Sequence, residues 1–176
     1  MHQILLIYYH YDLGTRKLKF YRTKIGVEDN IAEYTVTLGT SDWYFVALTY
    51  DETNVRGYVN GNLVAGPVAS SGVGTLYGAD SWSIAARNNN GLYGLFGDIT
   101  VADARVYNRA LTVNEIAEIY HKRGADKVWQ GLVGWWRLDE LSSGTPAPTL
   151  LDSMDSASGY TTGTQGNVSL NTTTYK

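Results

Sequence analysis

The chain of 176 residues has a formal net charge of −3, and charged residues make up 18% of it. This balance gives no electrostatic basis for binding nucleic acid, and no apolar run is long enough for insertion into a membrane. The sequence contains no cysteine, which excludes disulfide bonds, thiolate metal sites and a cysteine nucleophile. Its 14 tyrosines, 5 tryptophans and 19 glycines favour β-strands joined by tight turns.

The N-terminal part of the chain predicts a series of strands. Residues 4–11 and 17–23 flank the turn sequence DLGTR and predict a hairpin. Residues 32–38 predict a third strand. Residues 43–50 are apolar on both faces and therefore predict a central strand.

The stretch VRGYVNGNLVAG predicts a second hairpin. Asn60 and Gly61 form the dipeptide that best adopts positive φ at both central positions of a type I′ turn. Further strands are predicted at residues 81–86 and 99–107. Between them, the sequence RNNNGLYG (residues 87–94) predicts a loop.

One short helix is predicted after the last of these strands. Thr112 and Glu115 have the spacing of a capping box, and Gly124 is a natural helix stop. The residues between them follow the helical period and predict one apolar stripe. That stripe consists of Val113, Ile116, Ala117 and Tyr120.

The stretch RKLKFYRTK (residues 16–24) carries five basic residues in nine. On a strand, Lys17 and Lys19 face one side while Arg22 and Lys24 face the other, so the charges do not form a single patch. Lysine is common on exposed edge strands, where it opposes aggregation. We therefore expect a solvated edge strand here rather than a site for a sulfated glycan.

Three stretches resemble one known family of domains. DWYFVALTYD…VRGYVNGNLVAG resembles the centre of laminin-G-like, concanavalin A-like jelly rolls, where a W-x-x-V-A-x-x-Y strand leads into a Y-V-N-G hairpin. DARVYNRALTVNEIAEIY resembles their closing strand and helix, and GLVGWWRLDE resembles their first strand. The resemblance implies an all-β, antiparallel jelly-roll β-sandwich with one short capping helix. It leaves the function open, because one fold serves many functions.

The order of these stretches departs from the family, because the first-strand motif follows the helix. A circular permutation or a boundary within a tandem array would produce this order. We predict that residues 132–138 pair with residues 99–107 of the same chain, because the connection from the helix is short. Residues 1–141 then form one sandwich, and residues 142–176 form a Ser/Thr/Gly-rich extended tail that completes this sandwich or pairs with a neighbour.

No catalytic residues are expected. Some jelly rolls of this superfamily hydrolyse polysaccharides with two carboxylates that face the same groove. Asp98 and Asp103 are an odd number of residues apart and so diverge on a regular strand, and the adjacent Asp139 and Glu140 also diverge. The three histidines are scattered along the chain.

The resemblance also implies possible ligands at the rim of the sandwich. Related domains hold Ca²⁺ there with oxygen ligands, for which Asp80 and Asp98 are candidates. The asparagines of the neighbouring loop are typical of turns, and no D-x-D-x-D spacing is present, so the pattern favours a loop without a bound metal. A carbohydrate could meet asparagine amides and an aromatic ring in the RNNNGLYG stretch. The candidate residues for that contact are Asn88, Asn89, Asn90 and Tyr93.

Two functions remain open from the sequence. One is a structural subunit of a virion surface or an extracellular filament, in which the tail adds a strand to another copy through Val168, Leu170 and Tyr175. The other is a monomeric carbohydrate-binding module of a secreted protein. Assembly predicts a sheet edge that another subunit completes. Carbohydrate binding predicts an exposed aromatic ring beside polar groups.

Overall fold

The computed structural model describes residues 3–12, 14–24, 27–39, 41–70, 87–89, 92–94 and 101–137. Within these ranges the chain consists of antiparallel strands and a single α-helix, which confirms the predicted all-β class. No helix in the described ranges has the length and apolarity required to cross a membrane. The chain divides into two compact units, Met1–Asp80 with Arg109–Val128 and Ser81–Asn108 with Trp129–Lys176.

The first sheet of the first unit contains three strands in chain order. β1 (Gln3–Asp12) and β2 (Thr15–Lys24) form the predicted hairpin, and β3 (Val27–Thr35) pairs with the other edge of β2. The third strand therefore lies earlier in the chain than predicted. The ladder between β2 and β3 ends at Thr35, opposite Lys17, and the next amide, of Val36, donates to the carbonyl of Arg16.

The prediction that the basic stretch forms an edge strand is wrong, because β2 lies between β1 and β3. Its apolar residues Leu18 and Phe20 are buried. On the alternate positions, Lys17 and Lys19 both pair with Glu33 of β3, at 2.7 and 3.2 Å. Hydrogen bonding from Lys17 lowers the pKa of Glu33. Part of the basic charge is thus neutralised within the sheet, as expected for charged pairs on adjacent strands.

The second sheet contains β4 (Val46–Tyr50), β5 (Asn54–Val59) and β6 (Asn62–Ala69), in that order. Among the described strands of this sheet, β5 lies between β4 and β6, and tight turns join it to both. The expectation that residues 43–50 form a central strand stays a prediction. Val46 of β4 is 38% exposed, and Phe45 is bound to the turn that follows β5 through its amide and the Asn60 Oδ1 atom (3.0 Å).

The two sheets bury their apolar faces in one core. Leu18, Phe20 and Ala32 come from the first sheet, and Val55, Val59 and Ala65 come from the second. Gly57 of β5 is required beneath the Phe20 ring, because any Cβ at this position would overlap that ring. These contacts form the β-sandwich that the family resemblance implies.

The hairpin between β5 and β6 confirms the predicted turn. Asn60 and Gly61 have φ values of 49° and 79°, and Val59 pairs directly with Asn62. A Cβ on Gly61 would also lie 2.9 Å from Cδ1 of Tyr120 in the helix. The glycine is therefore required both for its positive φ and for the close approach of the helix.

The helix α1 (Val113–Lys122) begins with the predicted capping box. Thr112 Oγ1 accepts from the amide of Glu115, and the Glu115 carboxylate accepts from the amide of Thr112 at 2.8 Å. Hydrogen bonds from Arg109 to the Glu115 carboxylate lower the pKa of Glu115 to about 2, against the opposing effect of burial. The helix ends at Lys122, where Arg123 adopts the left-handed conformation just before Gly124.

The predicted apolar stripe of this helix is wrong at one end. Ile116 and Ile119 are buried, whereas Val113 is 50% exposed. Leu111, which precedes the cap, is buried in place of Val113. Leu111 and Ile116 occupy the N′ and N4 positions of a hydrophobic staple, which fixes the entry of the chain and turns the first helical residue outward.

The second unit contains two pairs of short strands. β7 (Arg87–Asn89) and β8 (Leu92–Gly94) form a hairpin where the sequence predicts a loop. The two residues between these strands are Asn90 and Gly91, which have the composition of a two-residue hairpin turn, so the strand signal was hidden in a turn-rich stretch. The strand predicted at residues 81–86 lies outside the described residues.

The other pair confirms the predicted return of the chain after the helix. β9 (Ala104–Tyr107) pairs antiparallel with β10 (Leu132–Trp136). Backbone hydrogen bonds flank the ladder at both ends, from Asn108 to Gly131 (2.8 Å) and from Asp103 to Arg137 (3.0 Å). The strand predicted at 99–107 begins late, because Asp103 has a φ of 55° and leaves the extended conformation.

We predict that Thr112→Ala lowers the free energy of unfolding by about 1 kcal/mol, because the amide of Glu115 loses its cap. Chemical denaturation followed by tryptophan fluorescence measures this change. Thr112→Ser, which keeps the hydroxyl, is the control and stays close to the unmodified protein. Equal stability of the alanine and serine variants would contradict a capping role.

We predict that Gly61→Ala lowers the free energy of unfolding by more than about 1 kcal/mol, because alanine is strained at positive φ and its Cβ meets Tyr120. Gly14→Ala is the matched control: Gly14 also has a positive φ (82°), but a Cβ there would meet no atom within 4 Å. Thermal or urea unfolding compares the two variants. A loss no larger than that of Gly14→Ala would mean that Tyr120 does not constrain the turn.

Candidate functional site

Some of the residues predicted to contact a ligand lie in the part of the chain that the structure describes, and the others lie outside it. The backbone of β7 and β8 places Asn88 opposite Tyr93, and Asn89 opposite Leu92. An amide residue and an aromatic residue thus stand at directly paired positions, and their role in binding stays a prediction. The other predicted site residues, Asn90, Asp80, Asp98, Val168, Leu170 and Tyr175, lie outside the described residues.

No metal cluster is found where the structure can be assessed. Across the described ranges, no group of three or more His, Cys, Asp or Glu side chains is placed to hold an ion. Calcium binding by Asp80 and Asp98 stays a prediction.

The described residues instead contain an aromatic and charged group on the paired strands β9 and β10. We call it the Trp135 cluster, and it consists of Asp103, Arg105, Trp129, Trp135 and Arg137. Strand register places Trp135 directly opposite Arg105. The guanidinium carbon of Arg105 lies 4.6 Å from the centroid of the Trp135 ring, in the range of a cation–π contact.

Asp103 joins the two strands through its carboxylate. Oδ1 accepts a hydrogen bond from the indole nitrogen of Trp135 at 2.7 Å. The same carboxylate receives Nε and Nη2 of Arg105, at 2.8 and 3.0 Å, as a bidentate pair. The Arg105 side chain is only 6% exposed, so its charge would be costly without this partner.

The backbone of Asp103 explains how one carboxylate reaches both strands. Asp103 has a left-handed backbone conformation, which interrupts the extended backbone immediately before β9. This change of direction lets its carboxylate reach Trp135 of β10. Aspartate adopts this conformation more readily than most residues. The carboxylate is therefore engaged by Arg105 and Trp135, which suits a structural group rather than a general acid or base.

The outer part of the cluster is open to solvent. Trp129 is 48% exposed, and its ring lies 5.5 Å from that of Trp135 at an interplanar angle of 57°. This tilted arrangement is favoured by aromatic pairs. The guanidinium of Arg137 lies 5.9 Å from the Trp135 ring centroid. The exposed indole of Trp129 and the guanidinium of Arg137 are thus both neighbours of the Trp135 ring.

A tight turn holds Trp129 in this position. The carbonyl of Trp129 accepts from the amide of Leu132 at 3.1 Å, and Gly131 has a φ of 78° at the third position of the turn. Positive φ at this position is typical of a type II turn and favours glycine. Trp129 is consequently fixed against the first residue of β10.

Sequence reasoning found part of this cluster and missed the rest. The stretch GLVGWWRLDE, which resembles the first strand of the family, contains Trp135 and Trp136, and both are half-buried. Trp129 was not singled out. Its signal is a tryptophan in a polar connection, DKVWQG, followed by the glycine of a turn.

Comparison with known proteins identifies the family. A model of laminin-G-like domains, described as the concanavalin A-like lectin/glucanases superfamily, matches residues 5–117. The chain belongs to this superfamily. The concanavalin A-like match extends from β1 into α1, so β10 and its Trp135 lie beyond it. No curated protein matches the chain.

A solved structure is also similar to the chain. It is the crystal structure of an S-layer domain-containing protein from Clostridium thermocellum, with 20% sequence identity and a TM-score of 0.41. The alignment covers 68% of this concanavalin A-like chain and 63% of the crystallised chain. The chain thus spans less than two thirds of the length of that crystallised chain.

We predict that Asp103→Ala lowers the free energy of unfolding by about 1–3 kcal/mol, because it leaves the guanidinium of Arg105 and the indole N–H of Trp135 without this acceptor. Asp103→Asn is the matched control, since it keeps an oxygen for the indole and tolerates left-handed backbone. Urea denaturation ranks the two variants. We expect an intermediate loss for the asparagine variant, and equal losses would contradict a role for the negative charge.

Proposed function

We propose that this chain is a non-enzymatic carbohydrate-binding module of an extracellular protein. The observation that carries the proposal is the exposed indole of Trp129, which is tilted against Trp135, a ring that the guanidinium of Arg137 also approaches. An exposed aromatic ring beside polar groups is the feature that distinguishes carbohydrate binding from assembly. Membership in a superfamily of lectins and glucanases supports a saccharide as the ligand.

The physical basis is the amphipathic character of a sugar ring. One face of a pyranose presents C–H groups, and its rim presents hydroxyls. The flat indole of Trp129 offers a large apolar surface with few rotatable bonds, so little entropy is lost when a ring packs on it. Polar groups around an aromatic surface then fix the orientation of the ligand.

Among the described carboxylates, the engagement of Asp103 supports a role other than glycoside hydrolysis. Glycoside hydrolysis requires a carboxylic acid and a second carboxylate on opposite sides of the bond that is cleaved. Asp103 is the carboxylate of the Trp135 cluster, and it is held by Arg105 and Trp135.

We predict that Trp129→Ala weakens binding to a glycan by about tenfold or more, because a tryptophan at the centre of a binding surface contributes most of the contact area. A glycan array identifies the ligand, and isothermal titration calorimetry measures the loss. Trp43→Ala is the matched control, because Trp43 is 51% exposed and lies in the first unit. Absence of glycan binding by the unmodified chain, or equal affinity of both variants, would refute the proposal.

A second candidate function is assembly into an extracellular filament or a virion surface. The observation that favours it is the position of β10, which pairs with β9 on one side. Within the described residues no strand pairs with the other edge of β10. An open strand edge presents unpaired amides and carbonyls that another copy can complete. We propose Val168, Leu170 and Tyr175 of the tail as the residues that would accompany such a strand.

We predict that deletion of residues 166–176 reduces the mass of the particle in solution, because the strand donated to the neighbour is removed. Light scattering coupled to size-exclusion chromatography measures the mass. The double substitution Val168→Asp and Leu170→Asp has the same effect, because both residues occupy one face of an extended chain. The control replaces Ser169 and Asn171, on the alternate face. An unchanged mass after deletion would show that assembly does not use the tail.

A further inference from the structure

The turn between β5 and β6 contains a chemically reactive dipeptide, because Asn60 is followed directly by Gly61. In an Asn-Gly sequence the backbone nitrogen of glycine can attack the side-chain carbonyl carbon of asparagine, since no glycine side chain obstructs the approach. The glycine N–H gives up its proton, a bond forms between this nitrogen and that carbon, and the side-chain nitrogen leaves as ammonia. Water then opens the cyclic imide at either of its carbonyl carbons, which yields aspartate or isoaspartate.

The folded hairpin restrains the asparagine. Asn60 Oδ1 accepts a hydrogen bond from the amide of Phe45 at 3.0 Å, and the amide of Asn60 donates to the carbonyl of Phe45 at 2.9 Å. The side chain and the backbone of Asn60 are therefore both bound to the residue that precedes β4. The imide ring would include the Cα–C bond of Asn60, so its closure requires rotations that these two hydrogen bonds oppose.

The helix α1 covers the attacking residue. Gly61 is buried, and a Cβ at this position would lie 2.9 Å from Cδ1 of Tyr120. The Tyr120 ring also packs against the Phe45 ring, with centroids 5.9 Å apart at an interplanar angle of 51°. One aromatic side chain thus covers Gly61 and contacts the residue that binds Asn60. Loss of the glycine proton and attack by water both require solvent at this covered position.

We propose that Asn60 is a deamidation site that the folded hairpin protects, and that it reacts when α1 moves away from the turn. The two products differ in their effect on the fold. Aspartate keeps an oxygen for the Phe45 amide, and Asp-Gly suits a type I′ turn as Asn-Gly does. Isoaspartate moves a methylene group into the main chain, so the direct pairing of Val59 with Asn62 is lost. Opening of the turn is then recorded irreversibly in the covalent structure.

The first test compares the folded full chain with the same chain unfolded in guanidinium chloride, both at the same mildly alkaline pH. Trypsin releases residues 57–87, which contain Asn60, separately from residues 88–105, which contain the second Asn-Gly dipeptide of the sequence. Mass spectrometry of the first peptide measures the conversion of Asn60. We expect the folded chain to react at least about tenfold more slowly, because only molecules with an open turn react. Equal rates would overturn the proposal.

A second test isolates the cover over Gly61. We expect Tyr120→Ala to accelerate the reaction of the folded chain more than Thr112→Ala does, because the latter weakens the same helix at its other end and keeps the ring. The two variants are compared at equal free energy of unfolding, which denaturant added to the more stable variant provides. Equal rates at matched stability would mean that global unfolding, rather than movement of α1, exposes Asn60. The rates of the unmodified chain judge the protection by themselves if Tyr120→Ala does not fold.

A third test follows the products through refolding. The reacted chain is diluted out of denaturant, and size-exclusion chromatography separates refolded from misfolded molecules. Labelling with an isoaspartyl methyltransferase, followed by isolation of residues 57–87, shows where isoaspartate is present. We expect it in the misfolded fraction alone. Asn60→Asp represents the other product, and we expect it to refold like the unmodified chain. Isoaspartate at position 60 in the refolded fraction would contradict its predicted effect on the hairpin.

Discussion

The carboxylate of Asp103 is the group on which the β9–β10 pair depends. It binds the indole of Trp135, which lies 32 positions further along the chain, and the guanidinium of Arg105 on the adjacent strand. In the described part of the chain β9 and β10 pair only with each other, and a two-stranded ladder is at best marginally stable in water. The hydrogen bond from the Trp135 indole to the Asp103 carboxylate adds a charge-assisted link between β9 and β10. It also fixes the position of Trp135 relative to β9.

The same link orients the surface that we assign to ligand binding. The cost of burying the Arg105 charge is compensated by the ion pair with Asp103 and by the cation–π contact with the Trp135 ring. Asp103 binds the indole nitrogen of Trp135, and Arg105 contacts the face of its ring. The Trp129 ring packs at a tilted angle against this Trp135 ring. A structural ion pair thus positions the ring against which the exposed indole of Trp129 packs.

Local elements of the fold could be predicted from the sequence. The Asn60–Gly61 turn and the capping box of Thr112 and Glu115 are formed as expected, because each depends on residues within a few positions of one another. Prediction was weaker for position within a sheet. The basic strand β2 is internal rather than at an edge, and its lysines are paired with Glu33 of a strand that periodicity alone could not assign as a neighbour.

The sequence by itself determined the all-β class, the hairpin turns, the helix cap and the family, since these follow from periodicity, short-range hydrogen bonds and recurring motifs. It also indicated that the strand after the helix returns to the closing strand. Only the tertiary structure decided that Asp103 turns out of its strand to bind Trp135, and that Trp129 joins them. Those contacts link residues far apart in the chain, and whether a carboxylate and an indole meet depends on strand register and on a backbone conformation, neither of which residue type specifies.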